Sequence, residues 1–148
     1  MHATKSACEP ALNGLAGPLR RLDELPEQRY AGQDEGDQPG LTMARGAYAI
    51  DPEPFGAPYV GPSAPAPDAP ANIRVPGGPR DAFVLHPEDT TGLLPHPNPR
   101  RPVGCCGPDG MNGSNRICSC DAEVATLAAD CWTYQELRLD PERVRTEP

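Results

Sequence analysis

The stretch Gly104–Trp132, GCCGPDGMNGSNRICSCDAEVATLAADCW, decides how the chain is read. Five of the six cysteines fall in it: Cys105, Cys106, Cys118, Cys120 and Cys131. Sulfurs crowd in this way when they share a metal ion, since zinc takes four ligands in a tetrahedron and favours thiolate and imidazole. Gly107, Gly110 and Gly113, between the two cysteine groups, let the backbone fold back without side-chain clashes. The pairs are C-C and C-x-C, where the usual zinc knuckle is C-x-x-C. Two adjacent cysteines strain to hold one ion. One of Cys105 and Cys106 is therefore expected to ligate together with Cys118, Cys120 and Cys131, with His96 as the reserve ligand. One structural zinc ion is the cofactor this pattern predicts. An iron–sulfur cluster fits the ligand count, but the spacing matches none of the usual runs.

Composition explains why such a clip is needed. Hydrophobic residues make up 37% of the 148, and 21 prolines and 15 glycines interrupt the chain. Proline donates nothing to a ladder, so long helices and central strands are few and the apolar interior is small. A small interior calls for a staple: a metal, a disulfide or a partner. The expected fold class is mainly β or irregular, a metal-clipped domain of short strands and long Pro/Gly-rich loops. The net charge of −8 argues against nucleic acid as a partner, because phosphate wants a basic face.

Outward from the cysteines, the chain divides into an arm, a domain and a tail. Residues 1–42 are expected to form a loose N-terminal arm. Leucines at 12, 15, 19, 22 and 25 recur with helical spacing but are broken by Gly14, Gly17 and Pro18, which leaves a short helical turn over Leu19–Leu25. Residues 43–140 are expected to form one compact unit, with 96–139 as the cysteine-rich block and 141–148 as a fraying tail. Within the unit, Gly46–Ile50, Ile73–Val75 and Ala82–His86 read as strands, and Pro76–Pro79 as a turn. Glu123–Leu127 reads as a strand or as the first turn of a helix, and Trp132–Leu139 as a closing strand. Trp132 is expected to anchor the core over the metal turn.

The block HPNPRRPVGCCGPDGMNGSNRICSC followed by EVATLAADCW resembles a family of small, cysteine-rich bacterial proteins, with GAYAIDPEPFGAPYV and PRDAFVLHPED extending the likeness upstream. The resemblance implies a stable domain with a shared cysteine layout and names no activity. More loosely, CSC before EVAT is similar to the second knuckle of zinc ribbons, with Asp121 where such a knuckle carries glycine.

No catalytic constellation is legible. Walker A, G-x-S-x-G and H-E-x-x-H are all missing, and DGMNG at Asp109–Gly113 lacks the Asp or Asn that a calcium loop needs at Met111. The function expected is non-enzymatic: a metal-stabilised binding or adaptor module for a protein partner. A thiol oxidoreductase or redox sensor built on Cys118, Cys120 or Cys131 is the first alternative. A disulfide-stabilised secreted protein is the second. With no apolar leader and no membrane-length run, the cytoplasm is the expected compartment, where thiols stay reduced.

Overall fold

The computed structural model describes residues 3–6, 19–26, 40–61, 73–118 and 121–147. The elements are β1 (Ala3–Ser6), β2 (Arg20–Arg21), β3 (Ala47–Asp51), β4 (Tyr59–Val60), β5 (Val75–Pro76), β6 (Ala82–Leu85), β7 (Leu94–Pro95), β8 (Arg116–Ile117), β9 (Glu123–Ala128), β10 (Glu136–Leu139) and β11 (Val144–Glu147). One 3-10 turn, Pro87–Asp89, interrupts them. The fold is mainly β, as the composition predicts. Among the described residues, no helix is long and apolar enough to cross a membrane.

Seven strands make one sheet in the order β2-β3-β6-β10-β9-β8-β7, antiparallel except for β2 beside β3. Period-two alternation sets the register. Tyr48, Leu85 and Leu137 lie opposite one another across β3, β6 and β10, as do Ile50, Phe83 and Leu139. With Leu19, Cys118 and Val124 they form the larger apolar cluster. Ala47, Ala49 and Val84 face the other way. Those small side chains leave room for Met43, and Leu22 and Leu25 pack against this second cluster.

Strand β10 is buried on both faces, one apolar and one ionic. Arg138 donates from Nε to Glu136 (2.5 Å) and from Nη1 to Asp51 (2.7 Å), and its guanidinium stacks 3.9 Å from the Phe55 ring centre. Thr42 donates to the other Glu136 oxygen at 3.1 Å. Each of these three charges has an opposite partner, which is the condition for tolerating it there.

Beyond the short β8, side chains carry on the pairing with β9. Asn115, fully buried, accepts from the Leu127 amide (2.7 Å) and donates to its carbonyl (2.8 Å), as a strand neighbour would. The turn between β8 and β9 closes through Cys118 N donating to Ala122 O and Asp121 N donating to Cys118 O, both at 3.0 Å. Asp121 sits there at φ 69°, the left-handed position that a knuckle would fill with glycine.

Three sequence expectations meet a different arrangement. Leu19–Leu25 forms no helical turn, because the edge of β3 offers its hydrogen bonds instead: Arg20 N donates to Gly46 O, and Leu22 N to Tyr48 O. Part of the expected arm is thereby built into the sheet, with Leu19 buried. Val144–Glu147, in the expected tail, pairs with Ala3–Ser6. Trp132 is 51% exposed and does not anchor the core; Leu137 and Leu139 fill that role.

Candidate metal centre

The centre forms where β9 ends. Ala129 donates its amide to the Pro108 carbonyl (2.8 Å) and holds the loop 104–110 against the strand end. Asp130 then turns inward and is 2% exposed. Its carboxylate accepts the backbone amides of Cys105 (2.8 Å), Cys106 (2.7 Å) and Cys131 (2.7 Å). One carboxylate thus fixes the main chain of three cysteines, while Thr133 accepts the Asp130 amide at 3.0 Å and closes the turn.

The glycines beside the Cys105–Cys106 pair are there for space. A Cβ at Gly104 would stand 1.9 Å from the Gly107 carbonyl oxygen and 2.5 Å from Asp130 Oδ2. A Cβ at Gly107 would stand 2.9 Å from the Ala129 oxygen. GCCG is therefore the sequence that lets two successive amides reach one carboxylate.

This platform brings the sulfurs of Cys105, Cys106 and Cys131 within 4.8 Å of one another, with Cys105 and Cys106 at 3.9 Å. Zinc–sulfur bonds of about 2.3 Å at tetrahedral angles place sulfurs about 3.8 Å apart. None of the three thiols is in a disulfide; Cys105 and Cys106 are exposed and Cys131 is half-buried. These three cysteines could hold a metal ion.

The electrostatics carry the mark of crowding. Burial works against the charge on Asp130, but the amides of Cys106, Cys105 and Cys131, with the Cys131 thiol, outweigh it and hold the carboxyl well below the usual carboxylate range. The Cys131 thiol is pushed up to about 12, first by its hydrogen bond with Cys106, then by burial, the Cys105 thiol and Asp130.

The five-cysteine run of the sequence is not one cluster in space. Cys118, just past the end of β8 and so beside the first residues of β9, is fully buried in the larger apolar cluster and is not part of the three-sulfur group. The six residues of β9 hold the two ends about 17 Å apart. Cys120 lies outside the described residues. Cys105 and Cys106, of which one was expected to ligate, both face Cys131. His96 has neither ring nitrogen to spare. Nδ1 accepts the Asn98 amide (3.0 Å), which leaves the ring proton on Nε2, and Nε2 lies 2.6 Å from Glu123 Oε1. Arg101 reaches the same oxygen at 3.2 Å. Asp130 is not among the residues the sequence singles out; its one signal is an acid between Ala128-Ala129 and Cys131.

Comparison with family models, curated proteins and solved structures gave no match to this chain.

Asp130→Asn tests the platform. The amide keeps one acceptor oxygen and turns an NH2 toward backbone donors. The metal-free variant is expected to melt more than about 5 °C below the parent at neutral pH. Metal affinity should fall about 10–100-fold, as when a group that orients ligands is lost. The pH dependence has a definite sign. Asp130 ionises more readily folded than unfolded, so its contribution is complete above about pH 4 and is lost as pH falls. The stability gap between parent and variant, read from urea melts, should be wide at pH 7 and narrow toward pH 3.

Proposed function

We propose that the protein is a metal-stabilised binding module in which Cys105, Cys106 and Cys131 hold one zinc ion. The observation that carries this is the convergence of three sulfurs on a carboxylate that fixes all three backbone amides. Soft thiolates select zinc or a similarly thiophilic ion over magnesium or calcium. Bound there, the ion ties the loop 104–110 to the end of β9 and adds folding free energy to a sheet with a modest interior. Trp132 and Val103, each 51% exposed beside the cysteines, give the module an apolar rim suited to a protein partner. A reducing compartment such as the cytoplasm would keep the three thiols ready for metal.

The same closeness of sulfurs suits a thiol redox pair, and the 3.9 Å between Cys105 and Cys106 is what favours that reading. Against it stands the Cys131 thiol, raised where a redox sensor needs a lowered one. His96, tied to Glu123 and Asn98, offers no base to activate a thiol.

Zinc titration separates the two. Zinc must displace the thiol protons, so calorimetry at pH 7 in buffers of different ionisation enthalpy should show up to about three protons released per zinc. Cys105, Cys106 and Cys131 should then resist a thiol reagent until chelator is added. Reactive thiols that ignore zinc and close reversibly to a disulfide would favour the redox reading.

A further inference from the structure

The three-sulfur centre is closed on one side and open on the other. Its inner side is Asp130, whose two oxygens already accept three amides. Its outer side faces solvent: Cys105 and Cys106 are exposed, and the neighbours Trp132 and Val103 are each 51% exposed.

The donor count points the same way. Closed structural zinc sites have four protein ligands, whereas sites that exchange a ligand keep three and leave the fourth position free. Among the described residues the group contains three sulfurs and no histidine or acid. His96 is committed to Glu123 and Asn98. Cys118 is packed into the apolar cluster, and Ala122, whose carbonyl accepts the Cys118 amide, stands at the opposite end of β9 from Cys131.

We infer that the metal held by Cys105, Cys106 and Cys131 keeps its fourth coordination position open to solvent and takes an external thiolate there, from a small thiol or from a cysteine of a partner protein. The inference rests on the metal reading above. Three thiolates more than neutralise a divalent ion, which makes it a poor Lewis acid for water or carboxylate and leaves it matched to a soft, polarisable donor. The exposed Trp132 indole and Val103 side chain give that donor an apolar approach.

Cobalt(II) in place of zinc reports the thiolate count through its sulfur-to-metal charge-transfer absorbance. The full-length, tag-free protein is reduced with a phosphine, loaded with cobalt, and titrated in separate arms with 2-mercaptoethanol and with a peptide carrying one cysteine among apolar residues. The absorbance is expected to rise by about one third as the thiolates go from three to four. A lower half-saturating concentration for the peptide assigns the position to a protein cysteine; a lower one for 2-mercaptoethanol assigns it to small thiols. The Cys8→Ser/Cys120→Ser variant should start from the same absorbance and respond in the same way. Bound cobalt whose spectrum ignores both thiols overturns the inference and leaves the metal reading standing. So does a variant whose starting absorbance is about a quarter lower, since the fourth thiolate is then internal. Failure to bind cobalt at all overturns the metal reading and this inference with it.

Discussion

Cys131→Ser is expected to lower zinc affinity at least about a hundredfold, because one of three thiolates is lost from a site whose binding free energy is shared among few ligands. Cys105→Ser and Cys106→Ser should behave alike, since both sulfurs face Cys131. Cys118→Ser should do the reverse. It trades a fully buried sulfur in the larger apolar cluster for a more polar hydroxyl, which is expected to lower stability and to leave zinc stoichiometry unchanged. Competition titration against a chromophoric chelator gives the affinities, and urea unfolding gives the stabilities. The pattern separates metal ligands from packing residues within a run where sequence alone treats all the cysteines as one set. Equal loss of zinc from Cys118→Ser and Cys131→Ser would return Cys118 to the ligand set.

The second large effect belongs to the ionic face of β10. Arg138→Met removes the cation shared by Glu136 and Asp51 and leaves a buried and a half-buried carboxylate without it. Breaking a buried pair in this way costs about 3–5 kcal/mol. The triple variant Arg138→Met/Glu136→Gln/Asp51→Asn should recover most of that loss, because neutral groups in the same space no longer carry an unpaired charge. Urea melts of the two variants side by side decide it. If the triple variant is no better than the single one, the Arg138 stack on Phe55 matters more than its charge.

Several elements were legible in the sequence. AFVLH, a short apolar run bounded by turn formers, becomes β6, and EVATL, whose pattern leaves strand and helix open, becomes β9; the two adjoin β10 on either side. Gly46–Ile50 could be read from the Asp51-Pro52 stop that follows it, and β3 runs one residue later, Ala47–Asp51. The leucines at 19, 22 and 25 could not, because helical spacing and an edge strand followed by a loop place the same residues inward, and the open edge of β3 decided between them. Tertiary packing outweighs a weak local preference of that kind.

That cysteines converge on a group able to hold a metal was legible in the sequence; which of them do so was not. Crowded cysteines pointed to metal, but closeness along the chain does not survive a strand of six residues, which puts Cys118 and Cys131 at opposite ends. The adjacent pair Cys105-Cys106 is relieved of strain by Asp130, which accepts both amides, and by Gly104 and Gly107, which leave it room. Asp130 itself needed the fold, since one acid beside a cysteine, among 21 Asp and Glu residues, does not declare that it will accept three amides.

X-ray absorption at the zinc edge of the loaded, tag-free protein reads the ligand shell without any variant. Three sulfurs at about 2.3 Å, with the remaining position taken by a lighter atom or an added thiol, is the expected result. A protein that retains no zinc, or a shell made of nitrogen and oxygen alone, would contradict it.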